Sequence, residues 1–179
     1  MSNQEFDLAA AMDAAHVLMG SGAHALKLEG VAGHEDVVQR LVESGIPVMG
    51  HLGLQPQSVK AYGGFKPQGR EESDAEEIAR EATVLEQLGA FAVVLECIPA
   101  ALAARITKAL RIPTLGIGAG IDCDGQILVL QDLLGMNPEF RPRFVRRFCD
   151  GERTILNALS EFDTAVKSSA FPAIEESYS

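Results

Sequence analysis

The sequence is poor in three things: cysteine, positive charge and long apolar runs. The three cysteines, Cys97, Cys123 and Cys149, are odd in number, far apart and without a C-x-x-C pair, which argues against a zinc knuckle or a dithiol redox site. They read as reduced thiols of a cytoplasmic protein. Lysine and arginine number 15 against 25 aspartates and glutamates, a net charge of -10, so the long-range field repels nucleic acid and anionic lipid. A small-molecule enzyme suits this balance better than a nucleic-acid binder. No apolar run approaches the roughly 20 residues that span a bilayer, and no basic segment followed by an apolar one opens the chain. Neither export nor a membrane location is expected.

What is present fits one globular domain over 1–179, with a polar tail from 167 to 179. The 179 residues are 47% hydrophobic and 22% charged, the usual globular balance. Apolar residues at three- and four-residue intervals predict a helix over Glu5–Met19, ending at Gly20, and another over His34–Ser44. Ala23–Glu29, Ile46–His51, Phe91–Glu96, Ile112–Ile117 and Ile127–Gln131 are short and apolar and read as strands. Between them Asp74–Leu88, capped by Ser73 or Asp74, and Pro99–Leu110, opened by Pro99 at its first position, read as helices. Pro142–Val166 is expected to be a last long helix with a break near Gly151. Strands alternating with helices imply an α/β fold with a parallel sheet and right-handed crossovers.

Three strands end in polar groups, Glu29, His51 and Glu96, and in a (β/α)₈ barrel the carboxyl ends of the strands are where catalytic groups collect. Lys27 and Glu29 are two apart on one strand and share a face, either as a metal carboxylate beside a substrate-binding ammonium or as a structural ion pair. Glu96 closes the most apolar strand; a carboxylate there is partly desolvated and suited to take a proton. His51 is placed to donate a hydrogen bond to a substrate oxygen. The Gly- and Pro-rich stretch Leu52–Ser73 is too long for an ordinary connection and reads as a lid or an insertion. Gly116-Ile117-Gly118-Ala119-Gly120 departs from the dinucleotide fingerprint, and Asp122, Asp124 and Asp132 read as turn formers.

Several strings are specific. Lys27-Leu28-Glu29-Gly30, Gly50-His51-Leu52-Gly53-Leu54-Gln55-Pro56-Gln57-Ser58, Gly63-Gly64-Phe65-Lys66-Pro67-Gln68-Gly69-Arg70, Leu95-Glu96-Cys97-Ile98-Pro99 and Asp124-Gly125-Gln126-Ile127-Leu128-Val129 occur in one order and at one set of spacings. Together with the Gly116–Gly120 run, they resemble the ketopantoate hydroxymethyltransferase family over Met1 to about Phe171.

The resemblance implies a TIM barrel, assembly as a homo-oligomer, commonly a decamer, and Mg²⁺. It implies transfer of a hydroxymethyl group from 5,10-methylenetetrahydrofolate to 3-methyl-2-oxobutanoate in pantothenate synthesis. It gives Glu96 the catalytic proton, Lys27 the substrate and Glu29 the metal, and leaves His51 as the substrate-binding residue read from its strand end. Family members begin with three further strands carrying an Asp-Ser and an Asp-Leu-Pro-Phe motif, neither of which occurs here. A closed barrel takes about 250 residues, so the expectation is an N-terminally truncated, incomplete barrel of about five β/α units. Two alternatives are a non-catalytic interaction protein and another enolate-forming barrel enzyme of the phosphoenolpyruvate mutase or isocitrate lyase type.

Overall fold

A computed structural model describes residues 8–55 and 67–178. The chain divides into two compact units, Met1–Ile127 and Leu128–Ser179.

The first unit contains helices α1 (Leu8–Gly20), α2 (Glu35–Glu43), α3 (Glu72–Gln87) and α4 (Ala100–Ala109). Its strands are β1 (Leu26–Glu29), β2 (Val48–Gly53), β3 (Ala92–Glu96), β4 (Thr114–Ile117) and β5 (Gly125–Gln126). The five strands form one sheet in chain order, each parallel to the next. A doubly wound sheet reverses its strand order at a switch point. None occurs among the described strands, and this one-way progression is that of a barrel wall, as expected from the sequence.

Residues paired across a parallel ladder point to the same side, and successive residues alternate. The registers therefore sort the sheet into two faces. Leu26, Leu28, Val48, Leu52, Val93 and Leu95 form one, and this face joins the core made with the helices. Val37, Val38 and Leu41 of α2, Ala82 and Leu85 of α3, and Leu102, Ala103 and Ile106 of α4 are all buried against it. Each large side chain buried this way contributes about 1.5–3 kcal/mol. The other face carries Lys27, Glu29, Met49, His51, Val94, Glu96 and Ile117. All four candidate site residues thus share the side away from the helices.

Two expectations are corrected. Ile127–Gln131 is not a strand: β5 is only Gly125–Gln126, and Leu130–Leu133 is a short helix, α5. Ile127 still donates to the Gly116 carbonyl at 2.9 Å, but Ile127 and Val129 are 42% and 51% exposed, so the apolar run is not buried as a sheet strand would be. The helix expected from Pro142 forms only as α6, Gly151–Lys167. Upstream of it, Val145 N–H closes a single turn on the Pro142 carbonyl at 3.0 Å, while the Arg147 side chain donates to the Asn137 carbonyl at 2.8 Å and Phe148 N–H to that of Leu133 at 2.8 Å, so no helical run of bonds forms there. The caps also differ: Glu71 and Pro99 hold the N-cap positions of α3 and α4, neither with a side-chain cap bond. Glu72 and Asp74 in the first turn of α3 offset the helix dipole instead. Of the Leu52–Ser73 segment, residues 56–66 lie outside the described residues, while its ends belong to β2 and α3. No described helix is long and apolar enough to cross a membrane.

Gly50 lets α3 sit against the sheet, because a Cβ there would overlap the Leu85 side chain. Leu85→Ala is expected to cost about 2–5 kcal/mol in urea unfolding. Gly50→Ala is expected to destabilise the parent chain but to cost clearly less in the Leu85→Ala background, since the colliding atoms are then gone. Strictly additive losses would contradict this packing.

Candidate active site

The carboxyl ends of β1, β2 and β3 lie side by side, in a register that sets Glu29 beside His51 and Gly53 beside Glu96. At this point β2 and β3 come unusually close. A Cβ on Gly53 would overlap the Glu96 carbonyl oxygen, and Gly53 has φ +90°, a conformation open mainly to glycine. Main-chain bonds hold the approach. Leu54 N–H donates to Glu96 O at 2.8 Å, Cys97 N–H to Ile117 O at 2.8 Å, and Gly30 N–H to His51 O at 2.8 Å. Cys97, directly after Glu96, has φ +50°, which costs an L residue about 1–2 kcal/mol. Such conformations persist where surrounding bonds over-determine them, and they cluster at functional sites.

On this frame three side chains form a line. The Lys27 ammonium is 3.2 Å from Nδ1 of His51, and Nε2 of His51 is 3.1 Å from Oε2 of Glu96. His51 is only 1% exposed and the Glu96 side chain 16%. An ammonium has donors and no acceptor, so Nδ1 accepts from Lys27 and the ring proton resides on Nε2, facing Glu96. That proton is within reach of the carboxylate but not aligned with it, and among the described residues Nε2 is a buried polar atom without a hydrogen bond. An unsatisfied buried donor costs about 1–3 kcal/mol, and an incoming oxygen would remove that cost.

Lys27 pairs with His51 rather than forming the structural ion pair with Glu29 that the sequence left open. Glu29 is half-buried on the same face and has no partner among the described residues. Among them no three His, Cys, Asp or Glu side chains converge as a metal cage. Mg²⁺ binds through one or two carboxylates and keeps water and substrate oxygens for the rest of its shell. Glu29 fits such a cation as one ligand.

A pocket of about 210 Å³ borders Gly53, lined by Gln55, Gln68, Asp74, Glu77 and Glu81 among others. Burial, reinforced by the charge of Glu77, raises the Glu81 carboxyl above its ordinary value. The remaining motifs are structural. Asp124 accepts from both the N–H (2.8 Å) and the hydroxyl (3.1 Å) of buried Thr114, tying the turn to β4. Gly120, at φ +88°, would bring a Cβ to 2.5 Å from that of Ala100, so that glycine serves close packing against α4.

Sequence reasoning overlooked the roles of Gly53 and Cys97. A glycine inside an otherwise apolar strand is a signal of close backbone approach and was available for Gly53. A left-handed cysteine has no such signal.

The comparisons with known proteins agree in one direction. A family model described as ketopantoate hydroxymethyltransferase matches residues 1–174. A 3-methyl-2-oxobutanoate hydroxymethyltransferase of Bdellovibrio bacteriovorus is 56% identical over 172 residues, 96% of this chain and 65% of that protein. The protein of that name from Francisella tularensis is 51% identical over 167 residues, 93% of this chain and 63% of its own length. That from Chlorobium phaeobacteroides is 51% identical over 166 residues, 93% and 60%. The chain therefore spans less than two thirds of these relatives.

Two outcomes are expected. The ¹⁵N shifts of His51 should report the Nε2–H tautomer, and Lys27→Met should move them toward a tautomer mixture; unchanged shifts would remove Lys27 from the line. Burial, and then the charge of Glu96, push the Cys97 thiol from 9.0 up to about 11. The folded state thus keeps a proton that the unfolded chain loses first. The resulting stabilisation is complete below about pH 9 and lost as pH rises toward about 11. Urea unfolding should weaken across that window more in the parent than in Cys97→Ala, and iodoacetamide at neutral pH should modify exposed Cys149 well before Cys97.

Proposed function

The chain belongs to the ketopantoate hydroxymethyltransferase family, and from that membership we propose that it serves the transfer of a hydroxymethyl group from 5,10-methylenetetrahydrofolate to 3-methyl-2-oxobutanoate, giving 2-dehydropantoate for pantothenate synthesis. The observation that carries the reading is the line Lys27–His51–Glu96, with its imidazole buried, on the sheet face away from the helices and with Glu29 beside it.

The chemistry asks for three things. A proton must leave C3 of the 2-oxo acid, the charge developing on the ketone oxygen must be stabilised, and the acid's own carboxylate must be held. Glu96 takes the C3 proton; it is shielded by the strand end yet 16% exposed, so substrate can reach it. His51 presents a donor whose orientation is set from behind by Lys27, and its Nε2 makes no hydrogen bond among the described residues. That suits it to a substrate oxygen, either on the keto acid or on the new hydroxymethyl group. Lys27, exposed on the same face, offsets the substrate carboxylate. Glu29 would contribute one carboxylate to Mg²⁺. Bound there, the cation supplies a Lewis acid for the ketone oxygen.

The carbon nucleophile left at C3 forms its bond to the folate methylene carbon, both bonds of that carbon to the folate nitrogens break, and a water supplies the hydroxyl oxygen, one of its protons and the C3 proton passing to the two nitrogens. We place this activity in the cytoplasm and in a homo-oligomer, a decamer by family resemblance.

The first half-reaction is testable without folate. With Mg²⁺ in deuterium oxide, the chain should exchange the C3 hydrogen of 3-methyl-2-oxobutanoate. Glu96→Gln should slow exchange by about 10²–10⁴-fold, the usual worth of a positioned base. Lys27→Met should chiefly weaken binding of the keto acid. No exchange by the parent chain, or exchange indifferent to Glu96→Gln, would refute the assignment.

A further inference from the structure

The arginines of this acidic chain fall into two classes. Arg40, Arg80, Arg105 and Arg153 are each paired with a carboxylate, of Glu43, Glu77, Glu76 and Asp150 respectively. Arg141, Arg146 and Arg147 have no such pair among the described residues. They lie with Arg143 in a seven-residue stretch that contains no acid, although the whole chain carries a net charge of -10. Neutral groups set their geometry. Nε of Arg141 donates to the Pro138 carbonyl at 2.9 Å, and a terminal nitrogen of Arg147 donates to the Asn137 carbonyl at 2.8 Å. Arg146 stacks over the Phe148 ring at 4.5 Å. A carbonyl or a ring orients a guanidinium without cancelling its charge, and a guanidinium has five N–H donors. Most of these remain unclaimed among the described residues.

Arg141 and Arg147 line one cleft of about 570 Å³, together with Phe148, Asp150 and Glu152. Asp150 is engaged by Arg153 at 3.0 Å, which leaves Glu152 as the opposing carboxylate. The first amides of α6 take no part: Gly151 and Glu152 already donate to the Leu134 and Gly135 carbonyls. The site rests on the two guanidiniums.

We propose that this cleft is a binding site for a small oligoanion, a molecule carrying two or more closely spaced phosphate or carboxylate groups, gripped by the guanidinium forks of Arg141 and Arg147. Guanidinium forks match both groups bidentately. Two forks held in place on one wall favour a ligand with two anionic groups over one with a single charge. The phenyl ring of Phe148 offers an apolar surface to whatever body carries those groups.

Titration calorimetry on the full chain at fixed ionic strength decides the matter, with inorganic pyrophosphate and citrate as separate probes. At least one should bind in the millimolar range or tighter, more strongly than acetate, and added salt should weaken it. Binding of pyrophosphate alone identifies phosphate chemistry, and binding of citrate alone identifies carboxylates. Arg141→Gln with Arg147→Gln should weaken binding at least tenfold, whereas Arg111→Gln, at an exposed arginine of the other unit, should leave it unchanged. If the double variant fails to fold, Arg147→Lys serves in its place, keeping the charge but losing the fork, and should weaken binding several-fold. Absence of binding by both probes, equal losses in Arg111→Gln, or binding untouched by the cleft substitutions would overturn the proposal.

Discussion

Everything in the candidate site depends on how closely the end of β2 approaches the end of β3. Gly53 lies beside Glu96 with no room for a Cβ, and Leu54 bonds to the same Glu96 carbonyl. Strands in a parallel sheet stand about 4.8 Å apart. That spacing alone does not bring an imidazole on one strand against a carboxylate on the next, because His51 and Glu96 are two register positions apart. The side chains must reach diagonally. They do so beside Gly53, the residue paired with Glu96, and bring Nε2 of His51 to 3.1 Å from Oε2 of Glu96.

From that contact the rest follows in order. Burial of His51 to 1% exposure removes water as a partner for its ring, so each nitrogen must be satisfied by protein or ligand. Lys27 satisfies Nδ1; Nε2 is left with a carboxylate nearby but out of line. The arrangement is strained in the way sites are, with a donor waiting and a left-handed residue, Cys97, immediately behind the carboxylate. The thiol there stays protonated, pushed up to about 11 by burial and by the charge of Glu96. It is therefore a filler beneath the site rather than a nucleophile in it.

Much of this was legible in the residues. Period-2 alternation put Lys27 and Glu29 on one face, and the polar ends of apolar strands singled out His51 and Glu96, because strand geometry is local and regular. What stayed hidden was non-local. The diagonal meeting of Lys27, His51 and Glu96 depends on register, which is set by the helices between the strands. The misread strand at Ile127–Gln131 has a related cause: a short apolar run marks a strand only where the fold buries it, and Ile127, Val129 and Leu130 are exposed. In Pro142–Asp150 the expected helix does not form: Val145 closes a single turn on the Pro142 carbonyl, and the Phe148 amide goes to Leu133, a non-local partner that the local sequence does not register.

The two halves of the proposed chemistry make different demands on a fold. A base, an imidazole and an ammonium in line need only neighbouring strands, and β1, β2 and β3 supply them complete. A hard cation needs oxygens from several directions around it, and adjacent strands on one arc of a sheet approach from one side only. Among the described residues Glu29 is accordingly a single contribution, while the proton-handling line is whole. The proposed proton chemistry on this face thus asks only for side chains of three neighbouring strands. Cation chemistry depends on groups across from them, whether those come from protein, substrate or water.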